Sequence, residues 1–301
     1  NLEDIPPAVF PAPVPKGHEY YLNYFRSRCH IGQFPLQQRV AEFLQEQEVV
    51  LTRVVSSGAN GITFEGQQKG APVIFKALFH AVAINENRGN HLLEGLSHPS
   101  LIQIKQICRS GNQLLGVLME KARGITLKRL TLSSNDDCFT FLATGSSDAL
   151  RTTMIPARQF LKIAKGVAAG LDFLKQNRLL HRDIQPNNIL IDQEGNVKII
   201  DFDLLRKEDR TCTEIVGTQS YQAPEIPWAS IFEPYSYPVD AYSFGKLLDL
   251  FFSNTNWTGY EKLQASAQEI VQGLMQELPE MRLDIHLAFE QFDKLESAVT
   301  D

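Results

Sequence analysis

The chain has 301 residues, 43% of them hydrophobic, which is enough for a sizeable core in one two-lobed unit or two small domains. Its net charge is −6 and it has no long basic run, which argues against a nucleic-acid-binding protein, because such proteins gain affinity by neutralising phosphates. No apolar stretch reaches the roughly 18–20 residues of a membrane span. The four cysteines lack CxxC spacing, so we expect neither a zinc site nor a disulfide framework, and a reducing, cytoplasmic location is the default.

Residues 1–48 are interpreted as an N-terminal extension. Residues 1–16 are proline-rich, which is typical of an extended or disordered segment. Between Pro35 and Leu44 the apolar residues have helical spacing. This spacing predicts a short helix that packs on the segment following it.

Residues 49–121 are predicted to form a strand-rich lobe. Their apolar runs are short, rich in β-branched residues and separated by polar or glycine-containing turns, which is the pattern of strands. Five strands are expected, at Val49–Val55, Ile62–Phe64, Val73–Leu78, Leu101–Cys108 and Leu114–Met119. One helix is expected at residues 84–96.

Residues 122–301 are predicted to be mainly helical. From Phe160 to Leu174 the apolar residues recur at i, i+3, i+4 and i+7, which marks one buried helical face. Further helices are expected at Val239–Phe252, Glu261–Glu277 and Leu283–Ala298. Residues 131–155 are polar and are interpreted as a surface insertion, longer than the usual loop limit of about 12–15 residues.

Residues 181–188 read His-Arg-Asp-Ile-Gln-Pro-Asn-Asn and resemble the catalytic loop HRDxxxxN of protein kinases. The resemblance implies that Asp183 orients the acceptor hydroxyl and receives its proton, and that Asn188 binds a magnesium ion through its amide oxygen. It also implies that His181 packs in the core and is not a catalytic base. Leu190 belongs to a strand that, according to the resemblance, lies beneath the adenine ring of bound ATP.

A second segment with metal-binding character lies thirteen residues after Asn188. Asp201-Phe202-Asp203 follows a predicted strand at Val197–Ile200 and resembles the DFG segment of protein kinases. The resemblance implies that Asp201 is the main magnesium ligand.

Two segments of the strand-rich lobe resemble the phosphate-binding parts of protein kinases. Residues 56–61, Ser-Ser-Gly-Ala-Asn-Gly, resemble GxGxxG with serine at the first glycine, and the glycines would let backbone amides approach phosphates closely. Residues 73–76, Val-Ile-Phe-Lys, resemble VAIK, which implies that Lys76 binds the α and β phosphates. The nucleotide contacts implied by the resemblance are Ser57, Gly58, Gly61, Thr63, Ile74, Lys76, Glu86, Met119, Glu120, Ala122 and Leu190.

Residues 217–225, Gly-Thr-Gln-Ser-Tyr-Gln-Ala-Pro-Glu, resemble the end of a kinase activation segment with its Ala-Pro-Glu motif. Arg282 resembles the late arginine that pairs with the motif's glutamate, here Glu225, in a structural ion pair. Arg182 has two open interpretations. It either docks a phosphate placed on the activation segment or pairs with an acidic residue.

Three positions depart from the family pattern. Gln185 stands where Ser/Thr kinases usually carry a lysine that contacts the γ-phosphate, so a slower enzyme is expected. Asp203 replaces the DFG glycine and would either help to hold metal or repel phosphate. The position expected for the glutamate that pairs with Lys76 is Gly89, and Glu86, about one helical turn away, is the expected substitute.

Residues 49–298 therefore resemble one protein kinase domain of the α+β class. The implied fold is bilobal, with a small antiparallel β-sheet lobe plus one helix at 49–121 and a large, mainly α-helical lobe at 122–301. The implied activity is transfer of the γ-phosphate of ATP to Ser/Thr hydroxyls of protein substrates, its own chain among the candidates. Mg²⁺ is the expected metal ion, with Mn²⁺ as the alternative. The expected catalytic residues are Asp183, Gln185 and Lys76.

Two alternatives remain open from the sequence. The first is a pseudokinase that acts as a nucleotide-binding or scaffolding module, which Gln185, Asp203 and the missing in-register glutamate support. The intact lysine, aspartates and asparagine of the other motifs oppose it. The second is a small-molecule phosphotransferase, which residues 217–225 oppose, because in protein kinases this segment shapes a peptide-binding surface.

Overall fold

The computed structural model describes residues 17–29, 34–58, 61–84, 87, 89–132, 154–209, 212–229 and 234–300. The proline-rich residues 1–16, Glu86 and most of the predicted insertion at 131–155 lie outside the described residues. The chain divides into two compact units, residues 1–84 with 104–121 and residues 85–103 with 122–301. Residues 85–103, which the sequence interpretation placed in the small lobe, thus group with the second unit.

The first unit is built on one five-stranded antiparallel sheet with the order β1-β2-β3-β5-β4. Its strands are β1 Val49–Ser57, β2 Gly61–Gln68, β3 Ala71–Ala83, β4 Ile104–Ser110 and β5 Gln113–Glu120. The five predicted strands are confirmed. Strand β1 runs unbroken, with register shifts against β2 after Leu51 and after Val54.

Two helices of the N-terminal extension, α1 His18–Arg28 and α2 Phe34–Glu46, pack on this sheet. The ring of Phe43 in α2 stacks on Phe75 of β3 with centroids 5.8 Å apart. Tyr21 of α1 meets Phe64 of β2 edge to face at 6.4 Å. All four rings are buried, so the extension supplies part of the first unit's core. The predicted helix near residues 35–44 is confirmed, whereas α1 was not predicted.

The helix predicted at residues 84–96 is wrong. Strand β3 continues to Ala83, and the helical segment described after it is a short 3₁₀ turn, Asn90–Leu93. Gly89 and Gly95, on either side of this turn, have φ angles of 116° and 78°. Glycine adopts such positive φ values without steric cost, and both lie outside the α-helical region, so the backbone interrupts the expected helix at these two positions.

The second unit is mainly helical. Its described helices are α3 Leu127–Leu132, α4 Ala157–Gln176, α5 Pro238–Phe252, α6 Glu261–Leu274 and α7 Ile285–Thr300. Its short strands are β6 Ile125–Thr126, β7 Ile155–Pro156, β8 Leu179–Leu180, β9 Ile189–Ile191, β10 Val197–Ile199, β11 Arg206–Lys207 and β12 Thr255–Asn256. Strand β9 lies between β6 and β10, while β8 pairs with β11 and β7 with β12. The predicted buried face of α4 and the three later helices are confirmed.

None of the helices in the described ranges is both long enough and apolar enough to cross a membrane.

The contact between α2 and the sheet gives a stability prediction. Phe43→Ala removes a buried ring, so we expect the free energy of unfolding to fall by about 3–5 kcal/mol. Urea unfolding followed by circular dichroism measures this change. Val50→Ala is the control, because Val50 is 52% exposed on the same sheet. Equal losses for the two variants would contradict a role of the extension in the core.

Candidate active site

A carboxylate on α5 holds the loop at residues 181–188 in place through hydrogen bonds. The backbone amides of His181 and Arg182 donate hydrogen bonds of 2.7 and 2.8 Å to the two carboxylate oxygens of Asp240. Burial raises the pKa of Asp240, against the opposing influence of His181 and of the two amide donors. From the sequence, Asp240 is assigned only to the start of a predicted helix. Its role in holding the loop is apparent only from the structure.

Asp183 is held by hydrogen bonds to both of its carboxylate oxygens. Thr218 donates to Oδ1 twice, from its backbone amide at 2.9 Å and from its hydroxyl at 2.8 Å. Gln185 Nε2 donates to Oδ2 at 2.9 Å, and Asn188 Nδ2 donates to the same oxygen at 2.8 Å. A carboxylate offers about four lone-pair sites, so these four donors fix its orientation.

Asn188 fits the role of a metal ligand through its oxygen. Its amide nitrogen donates to the Asp183 carboxylate and also to the Asp183 carbonyl oxygen, at 2.9 Å. Both interactions use Nδ2, so Oδ1 is the atom that can face a cation. Amide and carboxylate oxygens are the ligands that Mg²⁺ prefers.

The pairing of β9 with β10 brings Asp201 next to Asn188 along the backbone ladder. Ile189 pairs with Ile199, and the amide of Ile200 donates to the carbonyl oxygen of Asn188 at 2.8 Å. Asp201 is the next residue, it is solvent-exposed, and its backbone has a φ of 64°. An exposed carboxylate one residue beyond this hydrogen bond suits a second oxygen ligand for the same ion.

His181 has a structural place, as expected from the sequence. Its ring is fully buried and meets the ring of Phe202 at 5.2 Å. Nε2 lies 3.2 Å from the carbonyl oxygen of Ile200, and Nδ1 accepts from the amide of Asp183 at 3.3 Å. Nε2 and the ring contact with Phe202 join residues 181–183 to residues 200–202, while Nδ1 holds the backbone of the loop itself.

Asp203 has a hydrogen-bonding partner that the sequence did not indicate. Its Oδ1 accepts a hydrogen bond of 3.1 Å from the side-chain amide of Asn90, which is only 6% exposed. Backbone bonds from Gly89 to Leu205 and from Lys207 to Asn87 run beside this contact. Asp203 therefore helps to connect residues 87–90 to residues 203–207, an alternative to the metal-binding and phosphate-repelling roles considered above.

Four of the predicted nucleotide contacts lie on one face of the first unit's sheet. Side chains alternate along β3, so Ile74 and Lys76 lie opposite the face on which Phe75 packs against α2. Lys76 pairs across the ladder with Thr63 of β2, and Ile74 pairs with Met119 of β5. Cross-strand partners share a face, so these four residues form one surface.

Gly58 and Gly61 stand at the β1–β2 turn, where the Gly58 amide donates to the Gly61 carbonyl oxygen at 3.0 Å. A Cβ atom on Gly61 would lie 2.3 Å from the carbonyl oxygen of Ala77, so glycine is required there by the close approach of β3. A Cβ atom on Gly58 would meet nothing within 4 Å. Strand pairing thus explains Gly61, while Gly58 borders open space.

The other predicted contacts are spread over both units. Ser57 ends β1, Glu120 ends β5, Ala122 begins the second unit's segment after β5, and Leu190 is the central residue of β9. Glu86, the expected partner of Lys76, lies outside the described residues.

Arg182 pairs with an acid, which is one of its two interpretations. Its guanidinium is 2.8 Å from the carboxylate of Glu214, and Arg206 approaches the same carboxylate at 2.5 Å. Burial would raise the pKa of Glu214, but the two guanidinium groups prevail and hold it below its usual value. The sequence interpretation did not single out Glu214 or Arg206.

The expected pair of Arg282 and Glu225 is confirmed. Two parallel hydrogen bonds of 2.6 and 2.8 Å join the guanidinium to the carboxylate. The side chain of Arg282 is 1% exposed, and its guanidinium also lies 5.0 Å from the centre of the Tyr242 ring. The pair ties the end of residues 217–225 to the segment before α7.

Residues 50–301 match the family described as the protein kinase domain. The chain belongs to the protein kinase family. It is 32% identical over 203 residues to the rust resistance kinase Lr10 of Triticum aestivum, an alignment that covers 64% of this chain and 30% of that protein. It is 29% identical over 204 residues to the inhibitor of nuclear factor kappa-B kinase subunit alpha of Gallus gallus, covering 63% and 24%.

A probable serine/threonine-protein kinase of Dictyostelium discoideum is 26% identical over 250 residues, covering 77% of this chain and 24% of that protein. The aligned segments thus cover less than a third of the length of each of these relatives. Protein kinases as a family use ATP and a divalent metal ion to phosphorylate protein substrates.

The contact between Asn90 and Asp203 gives a prediction for this kinase domain. Asp203→Ala removes the acceptor of a buried amide, so we expect the free energy of unfolding to fall by about 1–3 kcal/mol. Asp203→Asn keeps an acceptor oxygen and should cost less than about 1 kcal/mol. Urea unfolding compares the two variants. If both lose the same amount, the negative charge matters and the hydrogen bond does not.

Proposed function

We propose that this domain is an active Ser/Thr protein kinase that transfers the γ-phosphate of ATP in the presence of Mg²⁺. The observation that carries the proposal is the arrangement around Asp183, whose two oxygens receive four hydrogen bonds from Thr218, Gln185 and Asn188. A carboxylate fixed in this way suits the task of aiming an acceptor hydroxyl, since phosphoryl transfer depends on positioning and charge stabilisation.

To bind Asp183, the acceptor hydroxyl must displace one of the protein groups that donate hydrogen bonds to its carboxylate. Asn188 is buried and also bonded to the Asp183 backbone, so it is a fixed donor. The Gln185 side chain is only partly buried and makes a single hydrogen bond to this carboxylate. In our proposal the substrate hydroxyl replaces Gln185 at Oδ2 and donates its proton there as phosphate is transferred. Gln185 then turns to donate to the γ-phosphate.

Separate groups of residues are proposed for the metal ion and for the phosphates. Asn188 Oδ1 and the Asp201 carboxylate supply the oxygen ligands that Mg²⁺ prefers, and the ion would neutralise charge on the phosphates. Lys76 would donate to the α and β phosphates, and the β1–β2 turn at Gly58 would offer backbone amides. Ile74 and Met119, which pair across β3 and β5, would provide apolar contacts for the adenine.

The Ser/Thr specificity is supported by two features. Thr218, which follows Gly217 in a pair typical of Ser/Thr kinases, bonds directly to the proposed catalytic carboxylate. The Dictyostelium relative is named as a serine/threonine-protein kinase. A pseudokinase remains the competing proposal, because Gln185 supplies no positive charge and Asp203 replaces the family's glycine.

Phosphate transfer from γ-labelled ATP with Mg²⁺ tests the proposal. The acceptors are a generic protein substrate and the domain itself, and phospho-residue analysis distinguishes Ser/Thr from Tyr. Asp183→Ala should lower the rate by a factor of about 10² or more, because it removes the group that positions and deprotonates the hydroxyl. The matched control is Asp249→Ala on α5, which lies outside the proposed site.

Three outcomes would contradict the proposal. The first is label incorporation that is unchanged in Asp183→Ala, and the second is label found only on tyrosine. The third is a wild-type domain that binds ATP without transferring phosphate, which would favour the pseudokinase.

The missing charge at Gln185 gives a separate prediction. Gln185→Lys places an ammonium group where we expect the γ-phosphate, so the rate constant kcat should rise by about tenfold, a modest part of what one well-placed donor supplies. Gln185→Ala removes the donor and should lower kcat. Steady-state kinetics with ATP varied at fixed protein substrate measures both. A lower kcat in Gln185→Lys would show that Gln185 is already optimal for this site.

A further inference from the structure

Two buried guanidinium groups converge on one carboxylate of the segment that leads to residues 217–225. The side chains of Arg182 and Arg206 are 3% and 7% exposed, whereas that of Glu214 is 33% exposed. Arg182 reaches Glu214 Oε2 at 2.8 Å and Arg206 reaches the same oxygen at 2.5 Å. Arg206 also contacts Asp209 at 3.1 Å. Buried charges that lack a partner are costly, so both arginines favour an anion at this position.

Further hydrogen bonds fix the backbone around Glu214. The hydroxyl of Tyr235 donates to the carbonyl oxygen of Glu214 at 2.8 Å and accepts from Arg182 at 3.1 Å. The amide of Tyr235 donates to the carbonyl oxygen of Cys212 at 3.0 Å. Glu214 is therefore held through both its side chain and its main chain. Its side chain contacts Arg182, the residue that precedes Asp183.

The segment between Glu214 and Thr218 is short and touches the catalytic loop at Gly217. Gly217, with a φ of 93°, passes so near the catalytic loop that a Cβ atom would lie 2.3 Å from the carbonyl oxygen of Arg182. Thr218 then makes its two hydrogen bonds to Asp183. The position of Glu214 thus sets where Thr218 can lie, and Thr218 sets the orientation of Asp183.

Arginines that gather around one anion are the usual device by which phosphorylation orders a segment, since a phosphate pairs with several guanidinium groups. Here a glutamate fills that position. Its carboxylate is charged at neutral pH without any modification, and the neighbouring arginines hold its pKa low.

We propose that Glu214 is a permanent anionic anchor that keeps residues 212–218 in the arrangement in which Thr218 orients Asp183. This deepens the proposed kinase function and rests on it. In this view the domain needs no phosphate on this segment to be active. Glu214 is a positioning residue that acts on Asp183 through Arg182 and Thr218.

The first test combines kinetics with removal of phosphate. Wild-type protein treated with a phosphatase should keep its full kcat. Glu214→Gln should lower kcat by about tenfold or more, the factor that corresponds to loss of one charge-assisted hydrogen bond, with little change in KM for ATP. Glu214→Asp keeps the charge and should recover part of the loss. Glu208→Gln is the control, because it removes a charge from the same segment, where Glu208 pairs with the exposed Arg178 at 3.8 Å.

The second test replaces the missing carboxylate chemically. Glu214→Ala leaves room beside the two arginines, and acetate added to the assay should raise the activity of this variant while leaving the wild type unchanged. A merely structural defect would not respond to acetate. No rescue by acetate, together with a Glu214→Gln kcat within twofold of wild type, would overturn the anchor. A wild type that loses its activity on phosphatase treatment would overturn it as well.

Hydrogen exchange separates failure of the anchor from failure of the kinase proposal. In Glu214→Gln the amides of residues 212–222 should exchange faster than in wild type, while those of α6 and α7 stay the same. This readout needs no activity. If the wild type transfers no phosphate, faster exchange still supports the anchor, and unchanged exchange overturns it.

Discussion

The candidate site depends first on the buried carboxylate of Asp240. It accepts the backbone amides of His181 and Arg182, at a point where the chain must turn sharply and Arg182 adopts a φ of 68°. A non-glycine residue keeps such a conformation only when its surroundings compensate the strain. By binding these two amides, Asp240 fixes the position of the loop backbone relative to α5. The position of Asp183, the next residue, and the other contacts of the loop follow from it.

From this anchor, hydrogen bonds extend in two directions along the second unit. His181 joins the loop to residues 200–202 through Nε2, and the amide of Ile200 donates to the carbonyl oxygen of Asn188, which sets Asp201 beside Asn188. Thr218 joins the loop to the segment that carries Glu214. The groups proposed for metal binding and for hydroxyl positioning are thus coupled through one short loop, which is a way to hold reacting groups in a fixed geometry.

The departures from the family pattern have different physical meanings. Asp203 contacts a buried amide, so its carboxylate has a local partner that a glycine could not supply. Gln185 keeps a donor at the proposed site but removes a positive charge, which affects charge stabilisation more than geometry. Glu214 supplies an anion where other proteins add phosphate. Together these features describe a domain whose catalytic arrangement relies on fixed side chains.

The sequence by itself determined the five strands, the main helices and the order of the motifs, because these depend on local periodicity and on residue types at fixed spacing. It also paired Arg282 with Glu225. It failed at residues 84–96, where two glycines at positive φ interrupt a helical pattern. Only the tertiary structure decided the partners of Asp240, Asp203 and Glu214. Their hydrogen bonds span sequence separations of 58, 113 and 32 residues, and local sequence patterns carry no information about contacts at such distances along the chain.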